Sequence, residues 1–370
     1  TTSYHIGNSL TEDMQPLGLE QLAQIGGESL ETGYHFAYAK SLDYIWANPT
    51  SVSNNQKRPD FYTPSLTGYA WDVLTLQPSN GPESTLATDE ASILSFIDLA
   101  RSNPDNADTD FYIYAAWPRR GNYADKWTAS VADQDSTATV KVREYFDHLI
   151  NRLHDATSAN VLMIPIGEVL FELDQKMQAG DIPGFTSVDQ LYRDNVHLSS
   201  DVGRYTAAAT AYATIFGKDP TGLTKPDGFY GSPDAFTPQL YNALHTVIWD
   251  VVANHPFTGI LDPSILIGDV DFDADIDFDD IDAFVLGLGD PDAYVAAFGV
   301  DPVRRGDTDG DNDFDFDDIP GFVALLESGA VEDRSQTIPE PTTIALGVIA
   351  LLSVCWRARR PRLRLALHRR

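Results

Sequence analysis

A single cysteine, Cys355, in 370 residues excludes a disulfide framework and any cysteine-built metal centre. Basic side chains are also scarce. The 25 Lys and Arg set against 55 Asp and Glu give a formal net charge of -30, which opposes binding of nucleic acid or an anionic membrane by the chain as a whole. Neither G-x-G-x-x-G nor G-x-x-x-x-G-K-[ST] follows a strand-like run, so a nucleotide-binding reading loses its main support. The acidity is uneven, with well over half of the net negative charge between Asp269 and Asp333. What is present is ample material for a core: 43% of residues are hydrophobic and 11% aromatic, in a chain long enough for two or three units.

Over the first ~260 residues, apolar runs of strand type alternate with runs of helical period. Strands are expected at 4–6, 30–36, 71–77, 111–116 and 161–165, and helices at 17–25, 91–101 and 140–153. Such alternation implies a parallel sheet covered on both faces by helices. Gly7-Asn8-Ser9-Leu10 stands where the first strand should end, and Asp194-Asn195-Val196-His197 stands just ahead of an alanine-rich helical run. A site at the carboxyl edge of a parallel sheet would bring the two blocks together. The residue types suit nucleophilic catalysis: Ser9 is a poor nucleophile until His197 takes its proton, and Asp194 would orient the imidazole. Three residues apart, Asp194 and His197 can both serve one serine only from a loop. His5 reads as a core histidine on a strand, and His35, His148, His154, His245 and His255 have no partner pattern.

These two blocks, with Leu198-Ser199 and Gly203-Tyr205 following, make residues 1–262 resemble an SGNH (GDSL-like) hydrolase. The resemblance implies a flavodoxin-like three-layer α/β/α fold, ester hydrolysis, and the catalytic set Ser9, Asp194 and His197. It also implies an oxyanion hole, and here the chain departs from the family, whose second block supplies a Gly and whose third supplies an Asn in Gly-x-Asn-Asp. This chain has Ala39-Lys40-Ser41-Leu42 and Leu76-Gln77-Pro78-Ser79-Asn80 instead. The expected hole is the Gln77 amide with the backbone N–H groups of Ser9 and of Lys40 or Ser41; Asn80 is the reserve, and Gln77 could equally be a structural residue capping a turn. Trp117 and Arg119, in Trp117-Pro118-Arg119-Arg120-Gly121, are candidates for contact with an anionic or sugar substrate, against the alternative of a solvated Arg pair. The expected substrate is an acylated carbohydrate or another ester. A catalytically inactive surface binding or structural module on the same fold is the alternative.

Residues 263–333 hold a duplication. Asp269, Asp271, Asp273, Asp275, Asp277 and Asp280 occupy positions 1, 3, 5, 7, 9 and 12 of a loop, and Asp307, Asp309, Asp311, Asp313, Asp315 and Asp318 repeat the spacing 38 residues on. Alternating carboxylates on a curled loop supply the oxygens that Ca²⁺ requires. Each loop runs into an apolar helical stretch, beginning at Ile281 and Ile319. The segment resembles a type I dockerin-like module, with Asp closing each loop and Ile276 and Phe314 at position 8. That implies a small all-α, EF-hand-like unit holding two Ca²⁺, with either a cohesin-like partner or a role as spacer. Position 6, which favours Gly, holds Ala274 and Asn312, and an alanine there would cost roughly 1–2 kcal/mol.

Residues 334–370 follow a third pattern. Ile338-Pro339-Glu340-Pro341 precedes an apolar run, 342–356, and then Arg357, Arg359, Arg360, Arg362 and Arg364. The run is shorter than the ~20 residues that cross a bilayer comfortably, and the basic end should remain cytoplasmic. This tail resembles a PEP-CTERM sorting signal, which implies export, a transmembrane segment, cleavage by an exosortase-type enzyme and a place at the bacterial cell surface or outside it. An ordinary C-terminal membrane anchor is the alternative. With no secretory signal ahead of Thr1 and no initiator Met, a processed chain is expected.

Overall fold

The computed structural model describes residues 1–53, 61–132, 134–198, 201–227, 236–260, 266–272, 275–298, 302–309 and 313–329. The chain divides into two compact units, Thr1–Ile260 and Leu261–Arg370.

The first unit is built on five parallel strands: β1 (Thr2–Gly7), β2 (Glu31–Phe36), β3 (Val73–Leu76), β4 (Asp110–Tyr114) and β5 (Val161–Ile164), in the order β2-β1-β3-β4-β5. Nearly every strand residue is buried, as expected of a parallel sheet covered on both faces. Between and after the strands come α1 (Ser9–Asp13), α2 (Pro16–Ile25), α3 (Leu42–Ala47), α4 (Tyr62–Gly68), α5 (Leu86–Arg101), α6 (Tyr123–Trp127), α7 (Arg143–Ala156), α8 (Ile166–Ala179), α9 (Val202–Phe216) and α10 (Pro238–Asn254). Helices α2, α9, α10 and α8 pack side by side in one row, and α3, α4, α5 and α7 in another. With the sheet they make a three-layer α/β/α arrangement. The strand order reverses at β1, so the crevice at the carboxyl ends of β1 and β3 is the natural place for a site.

All five expected strands are present, although β3 stops at Leu76 and leaves Gln77 outside it. Helix α5 begins well ahead of residue 91 because Thr85 and Thr88 form a reciprocal capping box that satisfies its first N–H groups. Helices α8 and α10 lie outside the runs that helical periodicity predicts. In α9, Thr206, Thr210 and Thr214 each return a hydroxyl to the carbonyl four residues back, so a run containing polar residues is buried without an unpaired group.

The second unit contains α11 (Asp280–Gly289), α12 (Pro291–Phe298), α13 (Val303–Gly306) and α14 (Ile319–Gly329). Its core is Val270, Ala283, Phe284, Tyr294, Phe322 and Leu326. Phe284 and Phe322, equivalent under the 38-residue duplication, stack with ring centroids 4.0 Å apart and planes at 10°. Among the described residues no helix is long and apolar enough to cross a membrane. The Pro339-Glu340-Pro341 motif and the apolar run 342–356 lie outside the described residues.

Candidate functional site

The site begins at a turn with no spare room. A Cβ on Gly7 would stand 2.2 Å from Thr11 Oγ1 and 2.8 Å from Gln77 Cβ, so only glycine fits where β1 ends. Asn8 then caps α1 by accepting the Leu10 N–H at 3.0 Å, and its Nδ2 donates to the Lys40 carbonyl at 3.2 Å. The Asn8 N–H donates to Gln77 Oε1 at 3.0 Å, as does the Thr11 hydroxyl at 3.0 Å. Ser9 is thereby set as the first residue of α1, with a backbone N–H that has no acceptor within the helix.

The residues 192–198 form a closed loop: Tyr192 and Leu198 make an antiparallel bridge, and the Arg193 N–H donates to the His197 carbonyl at 3.0 Å. Within it, Asp194 Oδ1 accepts the N–H groups of Val196 and His197, each at 2.8 Å, and Oδ2 meets His197 Nδ1 at 2.9 Å. A carboxylate opposite Nδ1 assigns the proton to that nitrogen, leaving Nε2 as an acceptor. His197 Nε2 lies 2.8 Å from Ser9 Oγ. Burial raises the Asp194 carboxyl, but the backbone N–H groups of His197 and Val196, and then the His197 ring, outweigh it and lower its pKa to about 2. Asp194 is therefore an anion throughout the range in which an imidazole is useful as a base.

The loop after β4 supports this block from the side. The Trp117 indole N–H donates to the Val196 carbonyl at 2.8 Å, the Arg120 N–H to the Asn195 carbonyl at 3.0 Å, and the Tyr192 hydroxyl to the Pro118 carbonyl at 2.8 Å. Trp117, expected to contact substrate, is fully buried, so its ring is packing and its indole is a strut. Arg119 is exposed, and its carbonyl receives Lys126 Nζ.

The expected oxyanion donors need correction. Gln77 is 1% exposed; its carbonyl oxygen takes two N–H or O–H donors, and its amide nitrogen faces the Pro78 carbonyl. Its oxygen holds the turn and its side chain is buried, which makes it the turn-capping residue. The Lys40 N–H is spent on the Ala37 carbonyl. Ser41 is buried ahead of α3, and its hydroxyl bonds Asp43. Ala39 adopts φ 54°, the left-handed region that favours Gly. Asn80 donates to the Trp117 carbonyl, and its Oδ1 is buried without a partner.

The other histidines among the described residues are held by internal hydrogen bonds. His5 lies in the sheet between Ser3 Oγ at 2.9 Å and Thr75 Oγ1 at 2.8 Å, with burial holding its pKa down at about 3. His35, His148, His154, His245 and His255 each bond a carbonyl, a backbone N–H or, for His245, the Tyr205 hydroxyl.

In the second unit both loops fold on their last carboxylate. Asp280 accepts the N–H groups of Val270, Asp271 and Asp277; Asp318 accepts those of Thr308, Asp309 and Asp315, the equivalent positions. Oxygens of Asp269, Asp271 and Asp280 converge within 4.8 Å, as do those of Asp307, Asp309 and Asp318, and of Asp313, Asp315 and Asp318. Asp269 Oδ1 is buried without a partner, while its other oxygen pairs with Arg305, whose guanidinium lies 4.2 Å over Phe272. An all-oxygen set with one orphaned carboxylate oxygen fits a hard cation. Asp275 and Asp277 are described outside these groups, Asp273 and Asp311 lie outside the described residues, and so do Ala274 and Asn312. Among the described residues of the first loop, Phe272, at position 4, is left-handed, with φ 69°.

No protein-family model matches this chain, and no curated protein does. Among solved structures, a DUF4886 family protein from Bacteroides uniformis is similar over 68% of this chain and 94% of its own, with 17% identity and a TM-score of 0.48.

Two outcomes are expected. Gln77→Ala leaves the buried Asn8 N–H without its acceptor and should lower unfolding free energy by about 1–3 kcal/mol in urea, whereas exposed Gln24→Ala should change it by less than about 0.5 kcal/mol. Asp194 has a folded pKa of about 2 against 3.8 ordinarily, so its stabilisation is complete above the higher value and is lost as pH falls through the lower one. The stability gap between wild type and Asp194→Asn should be flat above pH ~4 and shrink below it, modestly because the side chain is half exposed to solvent.

Proposed function

We propose that the first unit is an SGNH-type serine ester hydrolase, with Ser9 as nucleophile, His197 as general base and acid, and Asp194 as the anion that orients His197. The observation that carries this reading is the unbroken chain from Ser9 Oγ through His197 to Asp194, at 2.8 and 2.9 Å. Ser9 Oγ attacks the ester carbonyl carbon while its proton passes to His197 Nε2. The same proton goes to the departing alkoxide, leaving an acyl group on Ser9. Water, deprotonated by Nε2, then releases the acid and restores Ser9. The negative charge on the carbonyl oxygen is met by the backbone N–H groups of Ser9 and Ser41 and by the second amide N–H of Asn80, the one not given to the Trp117 carbonyl, because Asn80 is partly exposed where Gln77 is buried; one such donor is worth about 10²–10³ in rate. An O-acetylated carbohydrate is the favoured substrate.

The second unit is a dockerin-like pair of Ca²⁺ loops, a reading supported by the matching hydrogen bonds of Asp280 and Asp318 and the convergent carboxylates. Asp269, Asp271 and Asp280 would hold one ion, and Asp307, Asp309, Asp313, Asp315 and Asp318 the other. Bound Ca²⁺ supplies charge neutralisation and cross-links the loop, and no step of ester hydrolysis passes through it. The tail, with Pro339-Glu340-Pro341 and its arginines, supports export and retention by a PEP-CTERM route, with an exosortase-type enzyme as processing partner. The helices that follow the loops would either dock on a cohesin-like protein or serve, with the loops, as a Ca²⁺-stabilised spacer.

Initial rates on p-nitrophenyl acetate and acetylated xylan test the enzyme reading. Ser9→Ala and His197→Ala should each lose about 10³-fold or more, and a fluorophosphonate should label wild type at Ser9. Equal background rates in all three proteins would replace it with a binding module on this fold. For the loops, millimolar Ca²⁺ should raise the melting temperature of the acidic unit and a chelator should reverse it, since a ligand at 100 times its Kd adds about 2.7 kcal/mol. A transition indifferent to Ca²⁺ would overturn the metal assignment.

A further inference from the structure

Asp13 is fully buried, yet it lies outside the triad. It closes α1, four residues after Ser9, and so sits one helical turn away on the same face. Its Oδ2 accepts the N–H of Leu198, the residue that follows His197, at 3.0 Å. Its Oδ1 receives Arg204 from α9, through Nε at 2.9 Å and Nη2 at 2.8 Å, and Arg204 is itself only 5% exposed. Arg193 Nη2 lies 3.5 Å from the same Oδ1, while its Nε is 3.8 Å from Asp194 Oδ2.

One carboxylate thus touches three parts of the molecule at once: the helix that carries the nucleophile, the backbone beside the base, and the helix that follows the base. We propose that Asp13 is the positioning residue that fixes the separation of Ser9 and His197. This rests on the hydrolase reading above. The argument is geometric. Ser9 is held by the β1–α1 turn, and His197 sits on an irregular loop whose supports from the β4 side reach Asn195 and Val196. Among the described residues, the Leu198 N–H bond ties the far side of His197 directly to the helix of Ser9. A carboxylate is required because it must accept from Leu198 and from Arg204 together; a carboxamide offers a single accepting oxygen. Arg204 neutralises the buried charge, so the bond to Leu198 is charge-assisted and stiff. Arg193 extends the arrangement to Asp194, so that both carboxylates beside His197 share one guanidinium.

The test measures kcat and KM for p-nitrophenyl acetate, and the rate of fluorophosphonate labelling, in the full chain well below its melting temperature. Asp13→Asn should lower kcat and the labelling rate by about 10–100-fold, the scale of a misplacement near 1 Å, with KM changed less than about twofold. Tyr145→Phe serves as a control for stability alone, because it removes the 2.6 Å bond from Tyr145 to buried Asp89, neither of which bonds a residue of the triad; it should lower the melting temperature and leave kcat unchanged. If Asp13→Asn does not fold, Asp13→Glu carries the test: it keeps the charge for Arg204 but displaces the oxygen that Leu198 reaches, and the same loss of kcat is expected. A folded Asp13→Asn or Asp13→Glu protein with kcat within twofold of wild type overturns the proposal and leaves the hydrolase reading intact. A wild type no faster than Ser9→Ala removes the hydrolase reading and this proposal with it.

Discussion

The absence of a side chain at residue 7 is the constraint on which the rest of the site depends. Because Gly7 has no Cβ, Thr11 and Gln77 can close on the end of β1, and Gln77 can take the Asn8 N–H and the Thr11 hydroxyl together. That bond joins β3 to the turn after β1, while the Asn8 side chain joins the same turn to the loop after β2. Three neighbouring strand ends therefore converge on one residue, and Ser9 is the next in the chain. A serine in an ordinary turn would be free to rotate with its loop. Here its backbone is pinned from both sides, at the crevice where the strand order reverses.

The histidine block solves a different problem. It is neither helix nor strand, so its backbone groups must find partners elsewhere or be left unpaired. Asp194 takes two of its N–H groups internally, the loop after β4 supplies donors to the carbonyls of Asn195 and Val196, and Asp13 accepts from Leu198. The bonds that satisfy the loop also aim the imidazole. This is why Trp117 is better understood as a strut than as a substrate platform: moving its ring out would cost both its burial and the Val196 bond.

In the second unit, carboxylates and a small aromatic core are in tension. Among the described residues, a core of six buried hydrophobic residues is a modest counterweight to so many like charges, and small modules commonly rely on a metal for that purpose. The duplication places Phe284 against Phe322 at the centre, which puts the two loops in equivalent roles. Arg305 breaks the equivalence. Its counterpart under the repeat is Ile267, so the first loop carries an internal cation beside Asp269 that the repeat does not provide for Asp307.

The sequence by itself determined what depends on near neighbours in the chain. Strand and helix periodicity placed all five strands, the Gly7-Asn8-Ser9-Leu10 and Asp194-to-His197 blocks marked the triad that the fold brings together, and the loop spacing exposed the acidic repeat, because each is a local pattern. Helix α5 was placed late because its start is set by the Thr85–Thr88 cap and not by its apolar face. The role of Gln77 was legible only as one of two readings, since an amide's partners cannot be inferred from its place after a strand. Tertiary structure alone decided that Trp117 is buried, that Lys40 has spent its N–H, and that Asp13 grips Leu198 from 185 residues away. The reason is physical: hydrogen-bonding capacity belongs to a residue, but which partner uses it is settled by the packing of elements that are remote in sequence.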